Sequence, residues 1–255
     1  MPSMRNLARA VLVLLLGKKK KPRRILAGMA CGYRIEVSPA EHLSYLLGTN
    51  EPHLQRIIRG FVSAGDTAYD IGANIGYVTL SLAKRVGAQG HVIAFEPFPR
   101  NIASFRKNIE INFLQNVRLM ELAASDCAGE ATIRLLENPA TASLVWHRGH
   151  PSATELKVRT VPIDDLIDAG KIPLPRFVKI DVEGAEGQVL QGMHRTIATA
   201  RPVIFVECSE VGREKSWQLL KELGYACQSA IDRKPVESFE EYRHSDFLWL
   251  PEGES

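Results

Sequence analysis

A β-rich run, Thr67–Ile71, passes through Asp70-Ile71-Gly72-Ala73-Asn74-Ile75-Gly76 into a helical period carrying Val78, Leu82 and Val86 on one face. A strand that turns through two glycines into a helix is a βα unit, and such units join into sheets by parallel crossovers. The pattern repeats downstream. The sequence predicts strands at His91–Phe95, Val117–Leu122, Phe177–Ile180 and Pro202–Val206. Helical stretches follow them at Pro97–Asn112, after Gly184 with Val189, Leu190 and Met193, and at Arg213–Leu223. Two further short runs, Tyr225–Gln228 and Phe247–Leu250, are placed to close the sheet. The expected fold class is α/β, a doubly wound and mostly parallel sheet.

The glycine turn also restricts the ligand. A dinucleotide turn needs GxGxxG, so that backbone approaches a pyrophosphate at a helix N-terminus. Gly72 fits one of those positions, but Asp70 and Ile75 stand at the other two. A carboxylate there repels phosphates and suits a ligand with positive charge and no phosphate, such as S-adenosylmethionine with its ammonium and sulfonium. This reading disfavours a nicotinamide dinucleotide. The second strand ends in Phe95-Glu96-Pro97, and Glu96 lies twenty positions past Gly76. That spacing suits an acid that hydrogen-bonds the hydroxyls of a ribose.

Together with Leu47-Gly48-Thr49-Asn50-Glu51, Ala124-Ser125-Asp126, Lys179-Ile180-Asp181-Val182-Glu183-Gly184-Ala185-Glu186 and Val206-Glu207, these motifs resemble the FkbM-type S-adenosylmethionine-dependent methyltransferases. The resemblance runs from about residue 45 to 210. It implies the Rossmann-like class I methyltransferase sheet of seven strands, the last antiparallel, and methyl transfer, usually to a hydroxyl oxygen. By the same resemblance Asp70, Gly72, Ala73, Asn74 and Gly76 would cradle the methionine portion of the donor. Glu96 with Pro97 would take the ribose, Ala124 and Ser125 the adenine edge, and Glu51 would lie near the methionine end. A second reading makes Glu51 only an acid at the start of the helix Glu51–Phe61.

Asp181 and Glu207 end the fourth and fifth expected strands, side by side at the carboxyl edge. Methylating an alcohol requires a group that takes the hydroxyl proton, and a carboxylate or histidine can do so. The same two carboxylates are oxygen ligands of the kind a divalent metal prefers, and a metal-assisted route stays open at this point. The stretch Glu137–Ala153 has no periodicity and reads as a loop over a site, where His147 is a candidate base and His150 a candidate substrate contact. Glu183 is a further candidate substrate contact.

Residues 1–60 read as a short N-terminal extension and cover, and 61–255 as the methyltransferase domain. Charge is unevenly spread between them. Eight of the 32 Lys and Arg lie in residues 1–24, which hold no acid, leaving 24 bases against 29 acids in the rest. A mildly acidic body argues against a nucleic-acid partner. The apolar run Ala10–Leu16 is too short to cross a bilayer and lacks a cleavage site. Followed by Lys18, Lys19, Lys20 and Lys21, it suits either a docked helix with solvated charges or peripheral contact with an anionic membrane. The four cysteines are scattered without a CxxC pair, which reads as reduced thiols and a cytoplasmic protein. The expected partner is a small-molecule or glycan acceptor: a hydroxyl on a sugar, lipid headgroup or secondary metabolite. The competing class is a nucleoside-binding or membrane-associated regulatory module that keeps the fold without the chemistry.

Overall fold

The computed structural model describes residues 4–135, 154–240 and 244–253. Its centre is a seven-stranded sheet whose strands, in chain order, are β1 Thr67–Ile71, β2 His91–Phe95, β3 Val117–Met120, β4 Phe177–Ile180, β5 Val203–Glu207, β6 Tyr225–Ser229 and β7 Asp246–Pro251. Across the sheet they run β3-β2-β1-β4-β5-β7-β6. β7 alone is reversed, pairing antiparallel with β5 and β6, while the other pairs are parallel. The strand order turns around between β1 and β4, so their carboxyl ends diverge from the crossovers and leave a crevice at the sheet edge.

The strands form because their residues are apolar on both faces, as a sheet covered on both sides requires. Phe177, Val178, Lys179 and Ile180 are all buried, as are Ala68 to Ile71. One face packs Tyr69, Ile71, Val178, Ile180 and Ile204 against Val189, Leu190, Met193 and Ile197 from the helices Glu186–Gln191 and His194–Ala200. The other packs Ala68, Val92, Phe177 and Phe205 against Leu54, Ile57 and Ile58 from Pro52–Phe61, and Leu82 and Val86 from Tyr77–Val86.

One feature escaped the periodicity. The basic run continues into a strand, Lys21–Arg24, antiparallel to Arg34–Val37. Ile25, Ile35, Val37 and Leu46 then form one cluster with Tyr77 and Leu80, so this segment is fastened to the helix that follows the glycine turn. A separate small sheet joins Ala123–Ala124, Gly129–Leu135 and Thr154–Val161, with the last two antiparallel. The third strand stops at Met120 instead of Leu122, because the chain leaves the main sheet there for that smaller one. Among the described residues no helix is long and apolar enough to cross a membrane.

Candidate functional site

A cavity of about 730 Å³ lies at the carboxyl ends of β1, β2 and β4. Gly72, Asn74, Glu96 and Pro97 line one side, Asp181 and Glu183 the second, and Ala124, Ser125 and the small sheet the third. Its volume is in the range of small-molecule sites. Asp70, Ala73 and Gly76 do not line it and instead stand behind Gly72 and Asn74.

The turn is held from behind. Gly72 and Ala73 both donate backbone N–H groups to Phe95 O at 3.0 Å, fastening β1's end to β2's. Gly72 has φ +79°, and a Cβ there would stand 1.8 Å from the Asp181 carbonyl oxygen, so only glycine lets the ends of β1 and β4 approach this closely. At Gly76, also at positive φ, a Cβ would meet the Phe105 ring at 2.9 Å. Asn74 takes φ +50°, a cost for a residue with a side chain, and its N–H donates to Glu96 Oε2 at 2.8 Å.

Glu96 is 5% exposed. Its Oε1 accepts the Phe98 N–H at 2.9 Å, and Pro97 between them offers no competing donor. Burial pushes the Glu96 carboxyl up from its ordinary value, opposed by the hydrogen bonds from Phe98, Asn74 and Asn101 and by the Lys179 charge. A carboxylate accepts about four hydrogen bonds, so the donors from Phe98, Asn74 and Asn101 fix the orientation of Glu96 and leave it some acceptor capacity where it lines the cavity. An acceptor held in this way fits a hydroxyl donor such as the ribose of a nucleoside.

Asp70, one residue before the end of β1, is fully buried, with Thr79 Oγ1 donating to Oδ2 at 2.5 Å and Lys179 Nζ 3.4 Å from Oδ1. Lys179 was not singled out from the sequence, although it stands two residues before Asp181 on one strand face. The register pairs Asp70 directly with Lys179. Nζ also donates to Gly72 O at 2.9 Å and lies 3.3 Å from Asp181 Oδ2. Burial alone would lower the Lys179 ammonium, but Asp181, Asp70 and Glu51 reverse this and hold it above its ordinary value. The Asp70 charge is therefore balanced inside the protein by Lys179, rather than offered bare to a cationic ligand as the sequence argument assumed.

Glu51 occupies the N-cap position of Pro52–Phe61 in the left-handed region at φ 44°, yet its side chain caps nothing there. It accepts from Asn50 Nδ2 at 2.6 Å. Burial raises its carboxyl, Lys179 opposes, and Asp181 and Asp70 add to the rise. Glu51 therefore belongs to the charge cluster around Lys179, as does Tyr45, whose hydroxyl is pushed up by burial and by Glu51.

A second cavity of about 460 Å³ shares Asp181 and Glu183 with the first and continues past Glu207, Ser209 and Ser245. Glu207 is half-buried at the end of β5 and is pushed up to about 8 by burial, then by Asp181, Asp246 and Glu51, with Lys179 opposing. Asp246 enters because β7 is inserted beside β5, opposite Glu207 in register. Burial works to raise Asp246, but His53, 2.7 Å away, and Ser245 hold it below the usual carboxylate range. Neither His53 nor Asp246 carried a signal in the sequence, since only the strand insertion joins them. Glu183 lines both cavities at φ 52°. His147 and His150 lie outside the described residues.

The metal alternative finds little support in the donor set. Among the described residues no group of three His, Cys, Asp or Glu side chains is placed to hold an ion. The Lys179 ammonium already supplies the positive charge beside Asp181. Asp181 is thus already engaged by an ammonium.

A 3-2-1-4-5-7-6 sheet with strand seven reversed, a glycine turn after the first strand and an acid ending the second define the Rossmann-like class I methyltransferase fold. Residues 70–241 match the methyltransferase FkbM domain, and the chain belongs to that family. Among curated proteins it is 28% identical over 156 residues to the hexuronic acid methyltransferase AglP of Haloferax volcanii, covering 60% of this chain and 61% of that one. It is 30% identical over 145 residues to methyltransferase 1 of Beauveria bassiana, covering 49% and 57%. The chain thus spans about three-fifths of the length of these relatives. The crystal structure of methyltransferase FkbM from Methylobacillus flagellatus aligns over 96% of this chain and 59% of its own, at 16% identity and a TM-score of 0.45.

Proposed function

We propose that this protein is an S-adenosylmethionine-dependent O-methyltransferase acting on a hydroxyl of a sugar-type acceptor. The observation that carries the reading is the cavity at the β1–β4 divergence, with Glu96 locked by two backbone donors and the Asp181 and Glu183 wall opening to a second cavity. Family membership supports methyl transfer, and the AglP relative, described as acting on a hexuronic acid, supports a sugar-type acceptor.

S-adenosylmethionine supplies a methyl group already activated by its sulfonium. The chain's work is then to hold, orient and accept a proton. Glu96 takes the ribose hydroxyls, Gly72 and Asn74 form the floor, and Ala124 and Ser125 face the base. The acceptor occupies the second cavity, where acids and serines offer hydrogen-bond acceptors to hydroxyl groups. Holding both reactants in attack geometry supplies much of the acceleration.

Glu207 is assigned as the base. A base is most effective when its pKa lies near the working pH; Glu207 lines the second cavity, and burial with its acidic neighbours pushes it up to about 8, toward neutral pH. Asp181 is tied to Lys179 and orients the edge instead. The Glu207 carboxylate would take the hydroxyl proton as the acceptor oxygen gains the methyl group, which bound S-adenosylmethionine would supply, its sulfonium becoming a neutral thioether.

Titration calorimetry with S-adenosylmethionine and, separately, NAD tests the donor. Saturable binding of the first alone is expected, and binding of NAD alone or of neither overturns the reading. Transfer of labelled methyl to a panel of sugars, polyols and uronic acids then tests the chemistry. Donor binding without turnover on any of them favours the nucleoside-binding regulatory module.

A further inference from the structure

We infer that the end of the helix Met4–Leu16, together with the lysine run that follows it, forms an interfacial anchor that docks on an anionic lipid surface. The helix Met4–Leu16 ends in an apolar stripe at helical spacing, with Val11 50%, Leu14 76% and Leu15 78% exposed. Its C-terminal end is fixed to the protein. Leu16 packs on the cluster holding Tyr77 and Leu80, and Arg23 Nη2 donates to Leu16 O at 2.7 Å, closing the helix end. The stripe is therefore held outward by a docked helix.

Directly after it, Lys18, Lys19 and Lys21 are exposed, while Lys20 is anchored to Ser104 Oγ at 2.9 Å. Ser38 Oγ donates to Lys18 O at 2.8 Å, so the backbone of the lysine run is also fixed. Exposed leucines followed by lysines are what an interfacial helix needs, with apolar side chains in the acyl boundary and ammonium groups among anionic headgroups. The charge distribution fits the same partner. Residues 1–24 hold eight bases and no acid, whereas the rest of the chain carries more acids than bases. An anionic surface would draw this end in and repel the body. A protein partner needs a complementary surface of roughly 1,000 Å² or more. Three side chains in one stripe are small for that, whereas a bilayer accepts them without a matching groove.

The test is co-sedimentation of the full chain with phosphatidylcholine vesicles containing three-tenths phosphatidylserine, against pure phosphatidylcholine and a vesicle-free control. The wild type should pellet with the anionic vesicles and lose binding as salt rises. Each lysine near an anionic surface changes partition by about fivefold, so Lys18→Glu/Lys19→Glu should weaken binding by tenfold or more. Leu14→Ser/Leu15→Ser should do the same without altering far-UV circular dichroism. No pelleting at low salt, or binding unchanged in both variants, overturns the inference. So does salt-independent self-association in the vesicle-free control that Leu14→Ser/Leu15→Ser abolishes, since the stripe would then cover a second copy.

Discussion

Lys179→Met removes the one cation that three parts of the site share. The methionine fills similar volume, so the loss is electrostatic: Asp70 stays fully buried with Thr79 as its remaining donor, and Gly72 O and Asp181 lose their contacts with Nζ. Breaking a buried pair by removing one partner costs about 3–5 kcal/mol, because the other charge is left uncompensated. In a chain of this size each kcal/mol moves Tm by about 2–4 °C, so the variant should melt about 6–20 °C lower. The double variant Asp70→Asn/Lys179→Met deletes the stranded charge while leaving Thr79 a partner. It should be more stable than Lys179→Met alone, with a coupling of at least about 1.5 kcal/mol in a double-mutant cycle. Differential scanning calorimetry on the four proteins reads both numbers. A single-variant shift below 2 °C, or a double variant as unstable as the two singles summed, would refute the view that Lys179 balances Asp70.

Three further outcomes follow from the same geometry. Glu96→Ala removes the carboxylate assigned to the ribose, and since hydrogen bonds to charged groups are worth about 1.5–3 kcal/mol, calorimetry should show a loss of S-adenosylmethionine affinity of about 10- to 150-fold. Gly72→Ala forces a Cβ against the Asp181 carbonyl at positive φ, so urea denaturation should show a loss of about 2–5 kcal/mol. As the base, Glu207 must be ionised, and its pKa is raised to about 8, so activity should increase as pH rises through 8. Glu207→Gln should remove that limb and lower kcat by about 10²- to 10⁴-fold while saturable donor binding persists in calorimetry.

The sheet was legible because its strands are short apolar runs separated by helical periods, and because Gly72, Gly76 and Glu96 sit at spacings that only a βα unit makes sensible. The glycines are demanded by packing against Asp181 and Phe105, which is why their positions carried so much information. What the sequence could not yield was register and insertion. Lys179 faces Asp70 only because β1 and β4 pair Asp70 with Lys179. Asp246 meets Glu207 only because β7 slides between β5 and β6. The short basic strand Lys21–Arg24 reads as a solvated charge run because its pairing with Arg34–Val37 leaves most of its residues exposed.

The surplus of acid at this edge bears on the choice of donor. Glu51, Asp70, Asp181 and Glu207 gather around one buried lysine, and Glu207 rises to about 8 in part because Asp181, Asp246 and Glu51 beside it are negative. The backbone accepts strain to arrange this: Glu51, Asn74 and Glu183 are all left-handed without being glycine. Such strain persists where surrounding structure over-determines it, and at Asn74 the Phe95 carbonyl, Glu96 and the Gly72–Asp181 contact do so. A site short of positive charge binds a cationic ligand better than a neutral or anionic one. On the proposed function the donor brings that charge, so its arrival should ease Glu207 toward the ionised form a base needs. The limb near 8 should then lie at lower pH in kcat, which reports the loaded enzyme, than in kcat/KM, which reports the free one. An identical limb in both profiles would mean that Glu207 does not feel the donor's charge.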